Sequence, residues 1–270
     1  MKYLRLTFVC TYVCLAQRIL PQAPAQPFYR GEKIEYHLYV AGVRIAKANA
    51  TLSKSFRSYA GKQVYHITLE GRTMGFLDVL IKVRDTWESY YDTTTYTPLY
   101  FSRRIREGGC RKYERTFFSY TNNKATVRTY ESQKFKKVKQ ERHFALKPNT
   151  QDLLTSYYHL RLLNFNNLAA GDTVRINSFY EDSLYIFQIR YLGKERIKSS
   201  LGTFSSHVMS PIIPDNSLFE GENAVKLWIS DDNNKIPLLL NVEMRNKMIG
   251  SVRVECVRAK ELRYKLKSDY

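Results

Sequence analysis

The chain has 270 residues, with 43 Lys and Arg against 25 Asp and Glu, a formal net charge of +18 and 44% apolar residues. That length holds one large β domain or two small ones, and no Pro-, Gly- or Ser-rich linker, low-complexity tract or solenoid-period repeat interrupts it. These features exclude fibrous, solenoid and disordered classes and favour a single domain.

The first 25 residues form a segment of their own. Lys2 and Arg5 precede an apolar run from Leu6 to Ala16, and small residues follow at Ala23 and Ala25. This order is that of a secretory signal peptide, with cleavage after Ala16 or after Ala25, and the run is too short to span a bilayer. Val9 and Val13 precede Cys10 and Cys14 where a lipidation signal wants a small residue, so lipidation is not expected. Removing residues 1–25 takes Lys2, Arg5 and Arg18 and no acid, which leaves a charge of +15 on residues 26–270. Cys110 and Cys256 then remain, either as one disulfide or as two free thiols.

Short alternating runs bounded by turn residues dominate the rest of the chain. Lys33–Val40 places Ile34, Tyr36, Leu38 and Val40 on one face, Ala41-Gly42 makes a turn, and Val43–Leu52 returns with Ala46, Ala48 and Ala50 together. Such a small-residue face lets another layer approach closely. Further strands are predicted over 63–70, 79–91, 99–107, 112–120, 125–131 and 135–144, and after an interruption over 173–179, 183–191, 195–199, 203–209, 224–229, 235–245 and 250–258. The interruption reads as a helix near 150–163, capped by Asn149 or Thr150, with Asp152 at the positive end of its dipole and an apolar stripe of Leu153, Leu154, Tyr157, Leu160 and Leu163. The pattern predicts an all-β, mainly antiparallel architecture, a barrel or a strongly curved sheet, with that helix covering or plugging it.

The run Arg84–Glu107 reads as a hairpin with charges on an apolar face. Alternation puts Asp85 with Ile81, Val83, Trp87 and Tyr91, and Arg103 with Leu99, Phe101 and Ile105. Because a buried charge needs a partner, the pattern predicts an internal ion pair between Asp85 and Arg103. Trp87, Tyr91 and Phe101 are candidates to line an aromatic pocket, in a chain with 21 Tyr and 14 Phe.

Catalytic signatures are weak. The five histidines are isolated and the cysteines far apart, so no metal set is expected, and no nucleophile elbow, phosphate loop or dinucleotide fingerprint calls for a cofactor. In Ser205-Ser206-His207 adjacent strand residues point to opposite faces, which argues against nucleophilic catalysis. Asp85, Glu88 and Asp92 offer the one acid cluster near aromatic residues, but Asp85 and Glu88 face opposite ways, which weakens a glycosidase reading. Asp231-Asp232-Asn233-Asn234, between two strand-like runs, reads as a turn rather than a calcium loop. Basic residues cluster at Arg103, Arg104, Arg106, Arg111, Lys112 and Arg115 and again at Lys134, Lys136, Lys137, Lys139 and Arg142. Arg104, Arg106, Lys134, Lys136, Lys137 and Lys139 are the candidates for an anion-binding surface.

Several stretches resemble a known family of exported bacterial proteins, domain of unknown function 3108: Gly31-Glu32-Lys33-Ile34-Glu35-Tyr36 with Gly42; Arg84-Asp85 through Asp92; Tyr96-Thr97-Pro98; Arg106-Glu107-Gly108; Gly202-Thr203-Phe204; and Leu227-Trp228-Ile229-Ser230-Asp231-Asp232 followed by Lys235-Ile236-Pro237. Together they span nearly all of residues 26–270. The resemblance implies an antiparallel, barrel-like envelope protein, and it supplies no catalytic residues or cofactor.

The expectation is an exported, non-enzymatic protein, periplasmic or on the bacterial cell surface, that binds an amphiphilic or glycan component of the envelope. The anionic partners of that compartment are lipid, lipopolysaccharide and acidic glycans rather than nucleic acid. Alternatives are a glycan-cleaving hydrolase using the 85–92 carboxylates and an assembly partner docking through a flat β surface. An integral outer-membrane barrel is not expected, because the strands carry charge on both faces.

Overall fold

The structure is a computed structural model, which describes residues 26–213, 218–219 and 221–268. The predicted signal peptide lies outside the described residues.

Fifteen strands form one antiparallel sheet: β1 Lys33–Val40, β2 Val43–Leu52, β3 Arg57–Tyr59, β4 Lys62–Thr73, β5 Arg84–Asp92, β6 Pro98–Glu107, β7 Cys110–Ser119, β8 Lys124–Tyr130, β9 Val138–Ala145, β10 Thr173–Tyr180, β11 Ser183–Ser199, β12 Gly202–Pro211, β13 Val225–Ser230, β14 Pro237–Glu243 and β15 Ser251–Lys260. The order is β10-β11-β12-β13-β14-β15-β1-β2-β4-β5-β6-β7-β8-β9, with β3 pairing β4 alone. Neighbours in this order are neighbours in sequence except where β2 pairs with β4 past the short β3 and where β1 pairs with β15. The barrel-like, curved antiparallel architecture is thus as the alternation predicts. The short β3 has no counterpart among the predicted strands, and β9 begins at Val138 rather than at 135; two other differences are larger. The runs read separately as 183–191 and 195–199 are one strand, β11, carried through a register shift at Gly193, whose φ is +103°. Residues 79 and 80 end a short helix, α1 Gly75–Leu80, instead of starting β5. At Ala41-Gly42 both residues have positive φ, 48° and 77°, the conformation a two-residue hairpin turn demands, and Gly42 adopts it at no steric penalty.

The predicted helix is α2, Leu153–Arg161, and its cap is Asp152 rather than Asn149 or Thr150. The Asp152 carboxylate accepts from Thr155 N at 2.8 Å and from the Ser89 hydroxyl at 2.6 Å, so one side chain ends the helix and ties it to β5. Burial raises the Asp152 carboxyl to about 6. Helix α2 sits inside the curve of the sheet and joins three apolar clusters. Leu154 and Tyr158 enter the core of β4–β8, Leu160 packs on that of β10–β13, and Tyr157 bridges to the cluster of Ile34, Phe204, Ile236, Leu238 and Cys256. Arg161 lies on the same inward stripe, fully buried. It makes a bidentate pair with Glu32 at 2.6 and 2.7 Å and donates to the carbonyls of Asn234 and Pro27, both at 3.0 Å.

The edges β9 and β10 share no hydrogen-bond ladder. Segment 148–152 fills between them, with Gln151 N donating to Asn177 O and Phe179 N to Gln151 O, while Arg142 pairs with Asp182 at 2.8 Å and Phe144 meets Phe179 with ring centroids 5.4 Å apart. Side chains and one inserted segment close the curve.

Candidate functional site

The expected pair of Asp85 with Arg103 does not form. Arg103 does point inward and is 1% exposed, but the register sets it opposite Trp87 and Glu114, and its guanidinium is taken by Glu114 at 2.8 Å and by Glu181 from the β10–β11 turn. Asp85 lies nearer the strand end, where it accepts from Arg106 N at 2.9 Å; burial, and after it the neighbouring Asp85 carboxyl, raise the Glu107 carboxyl. The alternation identified both faces correctly; the partner came from a neighbouring strand and a distant turn, which spacing along one hairpin does not reveal.

Trp87, Tyr91 and Phe101 are brought together, but as packed core rather than pocket lining. Tyr91 and Phe101 are fully or almost fully buried, and Trp87 packs edge-on to Phe101 at 6.4 Å. The hollow lies further round the sheet. Before Leu52 enters the core, the inward face of β2 offers Ala46, Ala48 and Ala50, and Gly71 of β4 stands directly opposite Ala48. A Cβ placed on Gly71 would meet nothing within 4 Å. Among the described residues no second layer occupies the space that these small side chains leave. Instead two adjoining hollows, of about 320 and 250 Å³, share Tyr36, Ala48 and Val254.

Their walls are set by register. Cross-strand partners share a face, and the chain of partners Leu227, Leu240, Val254, Leu38, Ala46 and Thr73 runs across β13, β14, β15, β1, β2 and β4 as one lateral belt. The floor is Tyr157 of α2, whose hydroxyl is 2.8 Å from that of Tyr36, which donates in turn to Pro237 O at 3.1 Å. With these hydroxyls paired, the hollow presents an apolar surface, as ligand cavities for hydrocarbon chains do. Leu77 of α1 and Val83 stand at its mouth. Sequence reasoning noticed the alanine face but missed its meaning, because the bulk that fails to fill the space is absent from two strands, β2 and β4, that are paired only in the fold.

On the outer face the predicted basic residues are partly assembled. Lys47, Arg72 and Arg84 are cross-strand partners in one row. With Arg104 and Arg106 they line a groove of about 400 Å³. Like charges directly opposite destabilise a sheet, and some are relieved locally: Arg84 by Asp78 at 2.6 Å, Arg104 by Glu88 at 3.1 Å and Lys47 by Glu35 at 3.7 Å. Phe135, from the β8–β9 turn, is buried beneath the guanidiniums of Arg104 and Arg115, 4.8 and 4.1 Å from its ring centre, which brings Gln133 to the groove. Lys134, Lys136 and Lys137 on that turn and Lys139 in β9 are exposed beyond it, Lys137 pairing with Glu131 at 2.9 Å.

The acid cluster is divided. Glu88 lies on the outer face, where the His66 imidazole and the Arg104 guanidinium hold its carboxyl down at about 2. Asp92 is spent on Lys62 at 2.7 Å and on the backbone of the β5–β6 turn. Ser205 and His207 share Asp231, which accepts from them at 3.2 and 2.9 Å, while Tyr191 occupies the other imidazole nitrogen at 2.9 Å. This sets no hydroxyl of the Ser205-Ser206 pair against the imidazole. Cys110 is exposed and Cys256 buried, both as free thiols. Among the described residues no group of His, Cys, Asp and Glu is arranged to hold a metal ion, and no helix is long and apolar enough to cross a membrane.

The fold and hollow define a barrel-like antiparallel protein with an open apolar hollow on the inward face of its sheet. Over residues 35–257 the chain matches the family described as "Protein of unknown function (DUF3108)", and it belongs to that family. No curated protein matches its sequence. Among solved structures it is similar to a beta-barrel-like protein of domain of unknown function DUF1849 from Brucella abortus, with 10% identity, a TM-score of 0.50, and coverage of 86% of this chain and 98% of that one. A Bacteroides fragilis protein with a YmcC-like fold aligns over 89% of this chain and 100% of its own, at 11% identity and a TM-score of 0.32.

Proposed function

We propose that the chain is an exported, non-enzymatic protein of the bacterial cell envelope, periplasmic or at the cell surface, that holds the apolar chain of an amphiphilic envelope component. The observation that carries this reading is the apolar hollow behind Ala46, Ala48 and Gly71, open beside α1 and floored by the Tyr36–Tyr157 pair. Its two parts together fall within the roughly 300–1,000 Å³ common to small-molecule sites. Export rests on the sequence of residues 1–25. Of the anionic partner classes expected there, lipid and lipopolysaccharide carry acyl chains and suit the hollow; acidic glycans do not. The outer groove of Lys47, Arg72, Arg84, Arg104 and Arg106 offers sites for the phosphate or carboxylate of such a molecule. The hydrolase alternative lacks support from the 85–92 strand, whose carboxylates are on different faces and individually partnered.

The test is binding of a fluorescent fatty-acyl probe, with native mass spectrometry of the protein as purified. The expected result is a bound amphiphile or saturable probe binding, lost in Ala48→Phe, which places a ring where both parts of the hollow meet. Folding of the variant is checked by its melting curve, and the gentler Gly71→Val gives a second filling of the same space. Protein that carries no lipid and takes up no probe, or folded Ala48→Phe and Gly71→Val variants that bind as the wild type does, would overturn the reading.

A further inference from the structure

The antiparallel order gathers the β1–β2 turn, α1, the β6–β7 turn and the β14–β15 turn at one end of the sheet, on adjacent strands around the mouth of the hollow. That end is unusually apolar for a surface. Phe76 is 76% exposed, Val79 82% and Met248 92%, and Val43, Leu80 and Ile81 are also more than half exposed. Scattered exposed apolar residues are ordinary, but a group on adjoining loops marks an interaction site. Helix α1 does not owe this to looseness. The Thr73 hydroxyl donates to Asp78 at 2.6 Å and accepts from Val83 N at 3.0 Å, and Arg84 grips Asp78 through two bonds of 2.6 and 2.8 Å. A fixed clasp therefore holds Phe76, Val79 and Leu80 out into solvent.

Directly behind the apolar tip comes positive charge. Lys47, Arg72 and Arg84 form their cross-strand row within a few residues of α1, and Arg44, Lys82, Arg106 and Arg111 are exposed on the adjoining ends. The exposed acids nearby are Glu70, Glu107 and Glu243, fewer than the basic groups around them. An apolar tip backed by a basic belt matches a lipid surface in depth: the tip reaches the acyl boundary, roughly 5–10 Å in, while the belt lies at the level of the headgroups.

We propose that this end of the sheet is a membrane-docking face, which seats the mouth of the hollow on an anionic lipid surface. A bilayer is the occupant because both chemistries are needed at once and in this order along the strands. Docking does not depend on a ligand in the hollow, so the two proposals fail separately.

The experiment is co-sedimentation of the chain, purified after export, with vesicles of phosphatidylglycerol and phosphatidylethanolamine and, separately, of phosphatidylcholine alone. The protein is expected to pellet with the anionic vesicles and to be released by salt. Phe76→Ser combined with Val79→Ser and Leu80→Ser should weaken partitioning more than roughly tenfold with an unchanged melting temperature, because these side chains already face water. Arg72→Glu should weaken binding to the anionic vesicles alone, and Ala48→Phe should bind them as the wild type does. Wild-type protein that stays in the supernatant overturns the proposal, as does a triple serine variant that binds undiminished. A dimer in sedimentation velocity that the same three substitutions dissolve also overturns it, since a second copy would then be what covers this end.

Discussion

Replacing Glu32 by Gln tests the reading of the interior most severely. The substitution keeps the shape of the side chain and one acceptor oxygen, but it removes the charge opposite Arg161 and turns an amide NH2 toward a guanidinium that can only donate. Arg161 and Glu32 are both fully buried, and the pair has two short bonds of 2.6 and 2.7 Å. The remaining surroundings of Arg161 are two carbonyls and the rings of Phe28, Tyr157 and Tyr158, with centroids between 5.4 and 5.8 Å from it, and none of these supplies a countercharge. Removing one partner of a buried pair costs about 3–5 kcal/mol. For a domain of this size each kcal/mol moves the melting temperature by about 2–4 °C, so a fall of roughly 6–20 °C is expected. The assay is thermal and urea unfolding of wild type, Glu32→Gln, Arg161→Met and the double variant. The double variant should recover much of the loss, because it leaves no orphaned charge. The exposed pair of Arg128 and Glu141, 2.5 Å apart, is the control, and Glu141→Gln should leave the melting temperature within error. A Glu32→Gln protein within about 1 kcal/mol of wild type would refute the argument that an unpaired Arg161 charge is trapped inside.

Two further outcomes follow from buried titrating groups. Burial raises Asp152 from 3.8 to about 6 in the fold, so the folded chain holds this proton more tightly than the unfolded one; the contribution is fully present below pH 3.8 and is lost as pH rises through 6. Relative to Asp152→Asn, which can still cap α2 and meet Ser89, wild-type stability measured by urea unfolding should fall between pH 4 and 7 by about 3 kcal/mol; parallel pH profiles would show that the carboxyl is not buried as described. For the thiols, a thiol reagent should label Cys110 at once and Cys256 only on unfolding, since burial lifts the Cys256 thiol to about 12. Labelling of neither in native or unfolded protein without reductant would point to a disulfide.

The sequence pattern made the antiparallel architecture and the plugging helix legible because period-two alternation and a single helical stripe are local signals. Arg161 was legible in principle. It falls three residues after Tyr158 and seven after Leu154, on the buried stripe, where a charge demands a partner. Its partner Glu32 lies 129 residues away, and no local rule connects them. The same limit explains Arg103: facing inward was readable, being claimed by Glu114 and Glu181 was not. The hollow was the least legible feature, because emptiness depends on what two strands, β2 and β4, both fail to supply at one level. The basic row was half seen, since Arg104 and Arg106 were identified but Lys47, Arg72 and Arg84 join them only through the β2–β4–β5 register.

The pairing of β1 with β15 also governs when the molecule can exist. Every other ladder joins strands that emerge close together, whereas β1 waits beside β2 with its second edge bare until residues 251–260 arrive. The wall of the hollow and the Glu32 anchor stand on either side of that late closure. Until residues 251–260 are in place, the wall of the hollow that Val254 supplies is missing and β1 keeps a bare edge.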